Sequence, residues 1–176
     1  MKRVILIGFM GAGKSTLGKK VANKLGVPFI DSDDEIEGHF NKTVSELFTE
    51  FGESHFREIE REYINALQLR DEFVLSTGGG MPCFSDNMEL LNETGTTFYL
   101  ERSPKELANR LANAKKQRPL IAGLKTEELL GFIETKLLER EEFYKKAKVI
   151  LSRDEQTADA ITSFLRHLHP ELDQRS

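Results

Sequence analysis

The chain is expected to fold as an α/β domain built on a parallel sheet with helices on both faces, and three observations lead there. Short apolar runs recur between helical patterns: Val4 to Ile7, Pro28 to Ile30, Phe73 to Leu75, Thr97 to Leu100 and Val149 to Leu151. This alternation is the signature of parallel strands joined by crossover helices. The first run passes directly into Gly8-Phe9-Met10-Gly11-Ala12-Gly13-Lys14-Ser15, a phosphate-binding loop placed where a buried strand turns into a helix. At 176 residues the chain is one domain, residues 1–176, with room for a core but not for a separate acceptor domain.

Each element has local support. Glycines let backbone N–H groups close around phosphates, Lys14 adds a mobile cation and the Ser15 hydroxyl suits Mg²⁺, so a nucleoside triphosphate is the expected ligand. Thr16 to Leu25 reads as a helix with Leu17, Val21 and Leu25 on one stripe, closed by Gly26. Thr43 with Glu46, and Ser103 with Pro104 and Glu106, have capping-box spacing, and Glu127 and Glu128 after Thr126 suit a helix N-terminus. Two segments exceed a minimal alternating core. Residues 34–69 hold two helical patterns, with Val44, Leu47, Phe48 and Phe51 in one and Phe56, Ile59, Tyr63 and Leu67 in the other, divided at Gly52. This is expected to be a helical substrate flap. Residues 113–124 are basic, are interrupted by proline and glycine, and are expected to form a mobile lid.

Composition excludes several classes. The 25 basic and 29 acidic residues give a net charge of −4, which argues against a broad nucleic-acid surface. The single cysteine, Cys83, has no internal disulfide partner and reads as a packing residue in a reducing compartment. Met1-Lys2-Arg3 and the apolar run after it lack a convincing cleavage site, and no stretch reaches the length of a membrane span, so a cytoplasmic protein without membrane attachment is expected. His39, His55, His167 and His169 show no metal-ligand spacing. A monomer is expected, because most apolar residues already have a destination inside the fold.

The chemistry is expected at the carboxyl edge of the sheet, where ligands bind in open parallel sheets. Asp31 and Asp33 fall there, and alternation along an extended segment would send both to one side. One could then organise Mg²⁺ while the other accepts a proton from a substrate hydroxyl. The competing reading makes Asp33, Asp34 and Glu35 simple helix-capping acids. Arg118, stiffened by Pro119 within the lid, is the best cation for a transferring phosphoryl group. Gly78-Gly79-Gly80 permits close approach of a ligand to the backbone. No acid ends the third strand, which leaves Asp31 as the magnesium partner. Taken alone, Arg57 and Arg140 read as helical surface cations.

Together these residues resemble the shikimate kinase family across nearly the whole chain. The resemblance rests on GFMGAGKST from Gly8 to Thr16, Asp31-Ser32-Asp33, the run from Gly52 to Glu60, Gly78-Gly79-Gly80, Arg118-Pro119-Leu120, and Arg140 with Tyr144 and Ala147. It implies a three-layer P-loop kinase fold, a five-stranded parallel sheet in the order 2-3-1-4-5, and ATP-dependent phosphorylation of the shikimate 3-hydroxyl on the way to chorismate and the aromatic amino acids. By matched position it implies that Asp33 holds or deprotonates that hydroxyl. Arg57, Arg140 and the Gly79 backbone would bind shikimate, and Phe48 and Phe56 would wall its ring. The loop residues Gly11, Ala12, Gly13, Lys14, Ser15 and Thr16, with Arg118, would hold ATP; Ser15 and Asp31 would organise Mg²⁺. Arg110 would pack on adenine. A gluconate kinase or a non-catalytic ATP-binding relative are the alternatives.

Overall fold

A computed structural model describes residues 2–114, 121 and 123–168. The elements run β1 (Arg3–Ile7), α1 (Lys14–Leu25), β2 (Phe29–Asp31), α2 (Ser32–Phe40), α3 (Val44–Leu67), β3 (Phe73–Ser76), α4 (Asn87–Thr94), β4 (Thr96–Leu100), α5 (Pro104–Ala112), α6 (Thr126–Tyr144), β5 (Val149–Leu151) and α7 (Ala158–Leu168). Two 3₁₀ turns are described, Met81–Cys83 between β3 and α4 and Arg153–Glu155 between β5 and α7. The five strands form one parallel sheet in the order β2-β3-β1-β4-β5.

Burial follows from that order. β1 lies in the middle, so Val4, Ile5, Leu6 and Ile7 are all fully buried, as are Phe73, Val74 and Leu75 beside them. β5 is an edge strand, and its Ile150 is 43% exposed. Register carries the consequence for chemistry: Asp31 pairs with Ser76 and Leu6 with Ser76, so β1, β2 and β3 end side by side. Their ends deliver Gly8, Asp31 and Ser76 to one crevice.

Local sequence sets the helix ends. Gly13 adopts φ 104° at the start of α1, a conformation that penalises any side chain, and Gly26 ends the helix with φ 70°. Capping boxes start α3 at Thr43 and Glu46 and α5 at Ser103 and Glu106, as the spacing predicts. The flap pattern also holds with one addition. Gly52, at φ 78° and ψ 169°, breaks α3 into two helical pieces, and α2 precedes them as a third helical segment. Gly18 of α1 faces Phe29 of β2 so closely that an added Cβ would lie 2.6 Å from the ring.

Candidate active site

The phosphate loop is shaped largely by its own backbone. Gly8, Gly11 and Gly13 all have positive φ, and Ala12 N–H closes a turn on the Phe9 carbonyl at 3.1 Å. Lys14 is only 8% exposed and donates to the carbonyls of Gly8 (2.8 Å) and Phe9 (3.0 Å). Its cation therefore lies along the loop it is expected to serve. Arg110, in the last turn of α5, donates to the Gly11 carbonyl at 2.7 Å and crosses Gly13. It reaches the phosphate loop itself.

Beside the loop, Ser15 Oγ donates to Asp31 Oδ2 at 2.8 Å and lies 3.2 Å from Ser76 Oγ. These donors are all oxygen, the chemistry a small hard cation such as Mg²⁺ prefers, and Mg²⁺ needs few protein ligands because it keeps water and phosphate oxygens. Among the described residues no group of three or more His, Cys, Asp or Glu could form a richer metal centre. The residues present fit Mg²⁺.

One expectation about the two aspartates is corrected. Asp33 is not two positions along an extended strand from Asp31, because the strand ends at Asp31 and α2 begins at Ser32. Asp31 is the N-cap of α2, with Oδ1 accepting Asp33 N–H at 3.2 Å, and Asp33, Asp34 and Glu35 occupy the first turn. The capping reading thus holds without taking Asp31 away from Ser15. One oxygen of Asp31 starts the helix while the other faces Ser15, and the helical turn carries Asp33 toward the glycine triplet.

That triplet is where the remaining side chains converge. A Cβ built on Gly78 would lie 2.5 Å from Asp33 Oδ1; on Gly79, 3.6 Å from Arg140 Nη1 and 3.4 Å from Met10 N; on Gly80, 2.8 Å from Arg57 Nη2. One acid, two guanidinium groups and the phosphate loop therefore meet across three residues without side chains. The surface-cation reading of Arg57 is overturned by its surroundings. Its side chain is 13% exposed, bonded to Glu60 (2.6 Å) and Glu53 (3.1 Å), and stacked at 3.9 Å on the Phe84 ring. Phe48 and Phe56, with ring centroids 4.5 Å apart, stand beside it. Arg57 Nε is buried without a hydrogen-bond partner among the described residues.

Sequence reasoning left Glu60 without a role. It is 2% exposed, and burial pushes its carboxyl up to about 7, with Arg57 opposing that rise. Ser32, fully buried, was also unassigned; its hydroxyl accepts Gly78 N–H at 2.8 Å. The signal for Glu60 was its i,i+3 spacing from Arg57 on a helix, too common to single out. Cys83 is half-buried, as a packing residue should be, and burial pushes its thiol up to about 11. Arg118, Lys115 and Lys116 lie outside the described residues, as does His169.

Comparison with known proteins fits this geometry. The family model described as shikimate kinase matches residues 10–169. A shikimate kinase of Bacteroides thetaiotaomicron is 52% identical over 155 residues, covering 88% of this chain and 89% of that protein. A crystal structure of shikimate kinase from Bacteroides thetaiotaomicron superposes with a TM-score of 0.86 at 47% identity, covering 95% of this chain and 97% of that one. The shikimate kinase of Acinetobacter baumannii in complex with shikimate gives 0.80 at 32% identity, covering 97% and 94%. With the family model spanning nearly the whole chain, and with acid, paired cations and phosphate loop already in one crevice, the chain belongs to the shikimate kinase family.

Proposed function

We propose that the protein transfers the γ-phosphoryl group of ATP to the 3-hydroxyl of shikimate, giving shikimate 3-phosphate and ADP, a step toward chorismate. The observation that carries this reading is the meeting of Asp33, Arg140 and Arg57 at Gly78, Gly79 and Gly80, next to the phosphate loop. Shikimate bears one carboxylate and three hydroxyls. Two guanidinium groups answer the carboxylate with charge-assisted hydrogen bonds, while a carboxylate and a backbone N–H answer the hydroxyls.

The chemistry follows from that arrangement. Arg57 and Arg140 clamp the substrate carboxylate, Phe48 and Phe56 wall the ring, and the Gly79 N–H donates to a hydroxyl. Held this way, the 3-hydroxyl oxygen attacks the γ-phosphorus as its proton passes to Asp33, and the bond to the bridging oxygen of ADP breaks. Backbone groups from Gly11 to Thr16 cradle the phosphates, Lys14 and Arg118 offset charge on the transferring group, and Arg110 lies along the nucleotide. Mg²⁺ held through Ser15 and Asp31 would supply charge neutralisation across the phosphates. The same reading treats residues 1–176 as one domain in which residues 34–69 carry the acceptor and 113–124 close as a lid. A cytoplasmic monomer acting without nucleic acid or membrane completes it. Among the described residues no helix is long and apolar enough to cross a membrane.

A coupled ADP-release assay across shikimate, gluconate and nucleoside monophosphates tests this. Turnover with shikimate alone is the expected outcome. Turnover only with another acceptor, or with none, overturns it.

A further inference from the structure

Tyr144 is the one fully buried phenol that reaches the glycine triplet. Its hydroxyl donates to the Gly79 carbonyl at 2.5 Å, and its ring packs 5.2 Å from that of Tyr99. Arg140 sits one helical turn earlier on α6, and its Nη1 would lie 3.6 Å from a Cβ built on the same Gly79. A tyrosine hydroxyl has one proton to give and lone pairs to receive. Here that proton is given to the Gly79 carbonyl.

The backbone geometry gives this contact a consequence. The Gly78 carbonyl accepts Met81 N–H at 3.2 Å, and a planar trans peptide then turns Gly79 N–H the opposite way. Ser32 holds the peptide before it, through Gly78 N–H, and Tyr144 holds the peptide after it, through the Gly79 carbonyl. Glycines resist rotation poorly because nothing on Cα limits φ and ψ. The direction of Gly79 N–H therefore depends on the Met81 bond and on hydroxyls from outside the loop that hold the peptides on either side.

Resting on the proposed function, we infer that Tyr144 is a positioning residue for the acceptor: its hydroxyl sets the Gly79–Gly80 peptide, so that the Gly79 backbone donor keeps a fixed spacing from the Arg140 guanidinium beside it. It does not touch the reacting atoms. Its loss loosens acceptor binding and spares the nucleotide.

Steady-state kinetics of Tyr144→Phe test this, because the ring stays and only the hydroxyl goes. Loss of one hydrogen bond and the register it sets should raise the shikimate KM about tenfold, on the order of 1.4 kcal/mol, with the ATP KM within twofold. On an Arg140→Ala background the same change should cost less than the full tenfold, since one of the two groups whose spacing it fixes is gone. Tyr99→Phe trims the neighbouring phenol and should leave both KM values alone. An unchanged shikimate KM, an equal rise in both KM values, a full tenfold loss on the Arg140→Ala background, or the same shift in Tyr99→Phe overturns the inference. A wild-type protein without activity on shikimate defeats the proposed function instead, so the two failures are distinguishable.

Discussion

The phosphate loop from Gly8 to Ser15 takes its shape from its own backbone, whereas the pocket around Gly78 to Gly80 is shaped by side chains arriving from separate elements. Asp33 comes from α2, Arg57 and Glu60 from α3, Phe84 from the segment after the first 3₁₀ turn, and Arg140 and Tyr144 from α6. In the loop three glycines with positive φ fix the cradle, so few substitutions can alter what it binds without destroying it. The pocket is different. Each wall can be changed alone, so under the proposed function acceptor choice rests mostly on side chains from several elements.

Substitutions in the pocket should therefore separate the two halves. The largest effect is expected from Asp33→Asn: if the carboxylate takes the proton, kcat falls by about 10² to 10⁴ while ATP affinity stays near wild type. Stopped-flow turnover with a fluorescent nucleotide titration checks both arms, and parallel loss of ATP binding would break the division. Next, Gly78→Ala should displace Asp33, whose Oδ1 would lie 2.5 Å from the new methyl carbon. A misplacement of this size costs on the order of 10² in kcat, and a melting curve close to wild type would show that the damage is local.

Arg57→Ala probes charge as well as binding. The shikimate KM should rise more than tenfold, and the buried Glu60 loses the cation bonded to it at 2.6 Å. Removing one member of such a pair costs about 3 to 5 kcal/mol of stability. That cost should be near full at pH 8 and smaller at pH 6, where Glu60 takes a proton instead. The wild-type protein should show a related slope. A carboxyl raised by burial from 4.5 to about 7 binds its proton more tightly folded than unfolded. Its contribution is then fully present below pH 4.5 and is lost as pH rises to about 7. Urea melts at several pH values should show this slope flattened in Glu60→Gln. The smallest effect is expected from Phe84→Ala, which removes the ring 3.9 Å from Arg57. A cation–π contact of about 0.5 to 1 kcal/mol corresponds to roughly a two- to fivefold rise in shikimate KM.

The same contrast explains what could be read before any coordinates. The loop, the five strands, the Gly52 break and the two capping boxes are local patterns, and the structure contains all of them. Asp31 and Asp33 were found from their place after a strand, but their mutual geometry was not, because period-two alternation stops when Asp31 caps a helix. Arg57 and Arg140 are the sharper case. By spacing alone they are two more cations in a charged chain, and only folding brings α3 and α6 to one glycine triplet. Glu60 and Ser32 were illegible for the same reason, since burial is not encoded in either residue or its neighbours.

Gly18 has a mechanical consequence for the Ser15–Asp31 pair. It lies one turn beyond Ser15 on α1, and it touches the ring of Phe29, two residues before Asp31 on β2. The gap between helix and strand is thus gauged by a hydrogen atom. A methyl group at position 18 would act as a wedge, prising the serine hydroxyl from the carboxylate 2.8 Å away and widening the oxygen pair proposed to hold Mg²⁺ while every polar residue around it stayed intact.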